Sequence, residues 1–118
     1  MITNAGLNLI RDALEGSVTD CEITFVAWGD DDTAPALTDT ILGNELGRHA
    51  VTSQVSGGAG ILTTIVYLAP ADAVADIKEI GFFADVAGTV LVSRKLYAKN
   101  KTVLFSLQLN LKDTIREG

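Results

Sequence analysis

Apolar residues recur at two different spacings along this chain, and the spacing separates one helix from a series of strands. Leu7, Ile10, Ala13 and Leu14 follow one another at intervals of three and four, which puts one apolar stripe along residues 4–15. Thr3 or Asn4 can cap such a helix and Gly16 can stop it. The helix is short, so packing of its stripe against a sheet must stabilise it.

From residue 21 the period falls to two. Cys21, Ile23, Phe25 and Ala27 alternate with Glu22, Thr24, Val26 and Trp28, predicting a strand over 21–28. A second is predicted over 46–55, with His49, Val51, Ser53 and Val55 on one side and Arg48, Ala50, Thr52 and Gln54 on the other. Gly57 and Gly58 mark a hairpin into a third strand over 61–68, which is apolar on both faces apart from threonines and so belongs in a sheet centre or against a partner. Three more follow over 77–85, 89–97 and 102–112, with turns at 86–88 and 98–101. They read as an antiparallel meander with almost no polar chemistry aimed inward. Between the first two strands, residues 29–35 form an exposed acidic loop and 36–47 an extended connection. The expected architecture is mainly β: an antiparallel β-sandwich or open barrel of about six strands with one N-terminal helix, in a single domain spanning 1–118.

Composition narrows the class of molecule. The 118 residues fit one core, and 47% hydrophobic with 20% charged residues describes a chain that folds. Nine basic against fifteen acidic residues give a net charge of -6 with the bases scattered, which argues against nucleic acid as a partner. No leader-like segment opens the chain, and no apolar run approaches the roughly 18 residues that span a bilayer, so a soluble protein made in the cytoplasm, with no membrane partner, is expected. The mean hydropathy of +0.30 is high for a small monomer, and part of the apolar surface is expected to meet another subunit.

Candidate chemistry is sparse. Cys21 is the sole cysteine and opens an apolar strand, where a small buried residue is the better reading. His49 lies mid-strand with no acidic partner in sequence, and one histidine with one cysteine cannot build an ordinary four-ligand zinc site within a chain. Asp30 and Asp32 are a weak alternative for calcium. Counted from Asp30, however, the sixth and twelfth positions are Pro35 and Ile41, where an EF-hand needs Gly and Glu. The stretch from Gly57 to Gly60 lacks the Lys-Ser/Thr pair of a phosphate loop. Glu45, Glu79 and Asp85 are the carboxylates that a glycosidase would pair, yet nothing in sequence brings two of them together and exposed strand-edge charge accounts for them. No catalytic residue, cofactor or metal is assigned, and the chain reads as non-enzymatic. Candidate subunit contacts are Trp28, Arg48, Tyr67 and Tyr97.

Several segments in their order carry a likeness. TNAGLNLIRDAL from Thr3 to Leu14, ITFVAWG from Ile23 to Gly29, Thr33-Ala34-Pro35, LGNE from Leu42 to Glu45 with Arg48, and IKEIGFF from Ile77 to Phe83 resemble bacteriophage tail proteins. The likeness is to the N-terminal modules of tail fibre and tail-collar fibre proteins. It implies a virion structural protein that assembles as a symmetric oligomer, a trimer or ring, with other virion proteins as partners. Two departures refine it: three aspartates stand where a small Gly/Thr-rich loop is expected, and the sequence stops where a fibre would continue into a shaft, which favours a compact adaptor, collar, fibre-attachment or decoration subunit. The alternative is a carbohydrate-binding module for host-surface recognition, with Trp28 beside the acidic loop as a stacking platform.

Overall fold

The computed structural model describes residues 1–17, 22–58, 60–68, 75–85, 87–101 and 107–114. It opens with helix α1 (Asn4–Glu15), followed among the described residues by strands β1 (Ile23–Gly29), β2 (Glu45–Ala50), β3 (Ser53–Gly58), β4 (Ile61–Leu68), β5 (Ala75–Ala84), β6 (Val90–Lys101) and β7 (Leu107–Thr114). They form two antiparallel sheets, ordered β2-β1-β5-β6 and β3-β4-β7. The fold is the expected mainly β sandwich with one N-terminal helix.

Local signals set the helix ends. Thr3 Oγ1 accepts from the Gly6 N–H at 3.0 Å and donates to the Leu91 carbonyl at 2.5 Å, so one hydroxyl caps the helix and ties it to β6. Gly16 ends it in the left-handed conformation at φ 80°, with the Gly16 and Ser17 amides bonding back to the Ala13 and Asp12 carbonyls. The predicted apolar stripe is only partly covered, however. Leu7 and Leu14 stay exposed, while Gly6 is the helix's buried residue and lies so close to the Val92 backbone that a side chain there would collide with it. The helix is held at its first turn. Ahead of it, residues 1–3 run along β6, with Thr3 N–H donating to Val92 O and Arg94 N–H to Met1 O.

Two strand assignments need correction. The predicted strand over 46–55 is two strands in different sheets: the Val51 amide bonds to Thr24 O at 3.0 Å and the Thr52 amide to Ile65 O at 2.9 Å. Consecutive residues thus hand the chain from one layer to the other, and the core-facing positions shift from His49 and Val51 to Gln54. The predicted three-strand meander also fails at its last strand. β5 and β6 pair over most of their length, but β7 leaves that sheet and pairs with β4 from Leu68↔Leu107 to Ile61↔Thr114. β6 runs on to Lys101, through the turn expected at 98–101; Cys21 and residues 102–106 of the predicted last strand lie outside the described residues.

The first sheet is buried on both faces. Val26, Trp28, Ile77, Ile80 and Phe82 pack against Val66 and Leu68 of the second sheet, while Ala27, Phe83 and Leu91 on the opposite side close around Leu42 from the β1–β2 connection. That connection, residues 30–44, covers the second cluster.

Candidate functional site

Beneath the connection lies a buried ion pair, whose acid, Glu79, the sequence pattern places among exposed strand-edge charges. Glu79 on β5 is fully buried and Arg94 on β6 is 3% exposed; Arg94 Nε donates to Glu79 Oε1 at 2.9 Å. The two are diagonal neighbours, since Arg94 sits opposite Gly81 and Glu79 opposite Leu96. On β1, Gly29 lies opposite Glu79, and a Cβ there would stand 2.5 Å from Glu79 Oε2; the missing side chain makes room for the carboxylate.

The carboxylate's remaining capacity goes to backbone. Oε1 also accepts from the Gly43 amide at 2.8 Å, and Oε2 accepts from the amides of Asp31 at 3.0 Å and Asn44 at 2.9 Å. Both ends of the 30–44 connection therefore converge on one side chain. Arg94 completes the clamp by donating from Nη1 to the Thr33 carbonyl at 2.9 Å and pairing with Asp39 at 3.4 Å. Burial by itself pushes the Glu79 carboxyl upward, but the bonds from Asn44, Arg94, Gly43 and Asp31 outweigh it and hold it below the ordinary carboxylate range. A carboxylate with four donors has no lone pair free to abstract a proton or attack a substrate. The arrangement does the work of a structural clamp.

The other sequence candidates are placed as follows. Asp30 Oδ1 accepts from Asn44 Nδ2 at 2.6 Å, and Asp31 Oδ1 from the Thr33 amide at 2.7 Å; the Thr33 side chain first, and this amide second, lower the Asp31 carboxyl. Asp32 is exposed, and among the described residues no group of three His, Cys, Asp or Glu gathers to hold a metal ion. Asp85 sits in a left-handed turn at φ 74° and accepts the Ala87 and Thr89 amides and the Thr89 hydroxyl, so it shapes the β5–β6 turn. Glu45 holds Arg48 in a two-pronged pair at 2.8 and 2.9 Å, and Arg48 also reaches the Gly88 carbonyl and lies 4.3 Å from the Phe83 ring centre. Glu45, Glu79 and Asp85 are thus engaged separately.

Of the aromatic candidates, Trp28 is only 8% exposed and belongs to the core, so it is neither a stacking platform nor an open contact. Tyr97 packs against the same core, whereas Tyr67 is exposed. His49 is half-buried, with Nδ1 2.7 Å from the Ala50 carbonyl. Trp28, Arg48, Tyr67 and Tyr97 do not gather into one patch. Among the described residues no helix is long and apolar enough to cross a membrane.

The clamp is hidden in sequence because each charge sits beside other polar residues, Lys78 next to Glu79 and Ser93 and Lys95 next to Arg94, so both positions read as surface. A signal was present: Glu79 shares its alternate positions with Ile77, Gly81 and Phe83, a parity that buries its members. Searched against protein-family models and against curated proteins, the chain matches none.

Proposed function

We propose that this chain is a non-enzymatic structural subunit of a bacteriophage virion, a tail, collar, fibre-attachment or decoration component made in the host cytoplasm. It acts through interfaces with copies of itself and with other virion proteins. The observation that carries this reading is the number of large apolar side chains left in solvent: Leu14 at 86%, Ile41 at 72% and Val55 at 53% exposure, and Leu37, Leu46, Tyr67 and Leu96 exposed as well. Two further features support it. The likeness of five ordered segments to tail fibre and collar modules points to assembly, and the buried charges serve to hold a loop.

The test is the state of the purified chain and its capture of virion components. A subunit of this kind forms a defined oligomer or binds a larger particle protein; a monodisperse monomer that retains no partner from disrupted particles contradicts the reading. The carbohydrate alternative takes Trp28 as its stacking platform, and Trp28 lies in the core.

A further inference from the structure

Taking the assembly reading as its basis, we infer that the free edge of β3 is a joint between two copies of this chain, pairing antiparallel with the same strand of its partner. The argument comes from what guards each sheet edge. An exposed edge presents a row of backbone donors and acceptors to any strand that approaches, and edges meant to stay single carry charge or proline, or are covered. In the first sheet, the β2 edge carries Glu45 and Arg48, and the β6 edge is covered at Val92 to Arg94 by residues 1–3 and carries Lys95 and Lys99 beyond them. In the second sheet, the β7 edge includes Lys112 and Asp113 in its sequence.

Among the described residues, the β3 edge has none of these. Its sequence, Ser-Gln-Val-Ser-Gly-Gly, contains no ionisable group and no proline, and Ser53 to Ser56 are all exposed. The neighbouring β4 likewise has no acidic or basic residue. In a chain with a net charge of -6, this is, among the described residues, the sheet edge that carries no charge, so two copies can meet there without setting like charges against each other. Antiparallel pairing of a strand with itself is two-fold and self-complementary, so the two three-stranded sheets fuse into one of six. Register places Val55 with Thr63, Ile65 and Tyr67 on the outer face, the side opposite buried Thr64, Val66 and Leu68, so pairing also brings these side chains beside their counterparts. The occupant is a second copy because its edge is matched in length and neutrality.

The experiment compares sedimentation of the full chain with that of Val55→Lys, which sets a lysine on each strand of the joint. The expected result is an assembly of even copy number that the substitution weakens about tenfold or more, equal to roughly 1.4 kcal/mol or more. A wild-type assembly of odd copy number, or one that Val55→Lys leaves unchanged, overturns the edge joint while leaving the subunit reading intact. A wild-type monomer at every concentration overturns the joint, and it overturns the subunit reading as well only if that monomer also retains no partner from disrupted particles. Should the lysine variant fail to fold, hydrogen exchange on the wild-type chain decides: slowing of the β3 amides as concentration rises supports the joint, and exchange independent of concentration overturns it.

Discussion

The two sheets treat charge in opposite ways. On the β5–β6 side, Glu79 and Arg94 are taken out of water and tied to each other and to the backbone of the 30–44 connection, so a long loop lies fixed over Leu42 and the face beneath it is closed. On the β3–β4 side the fourteen positions of the two strands carry no acid or base, and Val55 and Tyr67 on the outer face stay in solvent. Buried charge is costly unless fully partnered, so it specifies a single arrangement of what surrounds it. A strand edge without charge specifies nothing against pairing. One half of the molecule is finished within the chain, and the other is open to completion by a neighbour.

Breaking the finished half has the largest expected effect. Arg94→Ala leaves Glu79 buried without its cation and should cost about 3–5 kcal/mol, read as a lowered urea midpoint. A loss under 1 kcal/mol would mean that the pair is not buried as described. Gly29→Ala should cost about 1–3 kcal/mol by the same assay, because the new Cβ meets Asn44 and the Glu79 carboxylate and forces the clamp apart.

Acid probes the same half without a mutation. Glu79 has a folded pKa below its unfolded value, so its contribution is complete at neutral pH and is lost as pH falls below the ordinary Glu value of about 4.3 and through the lower folded one. Asp31 and Asp85 are lowered too and act in the same direction. Stability measured between pH 7 and pH 3 should therefore hold steady and then drop, and Glu79→Gln should flatten part of that drop. An unchanged slope in the variant would show that other carboxylates carry the acid loss. The smallest effect belongs to the open half. Val55→Lys should leave the stability of the dissociated chain within about 0.5 kcal/mol of wild type, because the site is exposed, so any change it makes in assembly is a change in the joint.

What was legible in sequence is what local chemistry dictates. Thr3 and Gly16 announce both ends of α1, and the doubly apolar pattern from Ile61 to Leu68 marks β4 as the central strand of its sheet. Pairing across the chain was not legible. Alternation in sequence runs on through Val51 and Thr52 although the core-facing positions shift there, and the pattern of the last strand does not reveal that it joins β4 in place of β6. The clamp depends on amides from Asp31, Gly43 and Asn44 arriving at one carboxylate from a connection that carries no periodicity. A buried Glu is legible only once its donors are in place. The open edge could be noticed in sequence as a charge-free run, but the exposure of Val55 and Tyr67 had to be seen.

The central claim is that copies of this chain join one another. Native mass measurement of the purified full chain across a concentration series tests it most directly. The account predicts a discrete multimer at micromolar concentration that dissociates on dilution, whereas a single species with the mass of one chain throughout the series would contradict it.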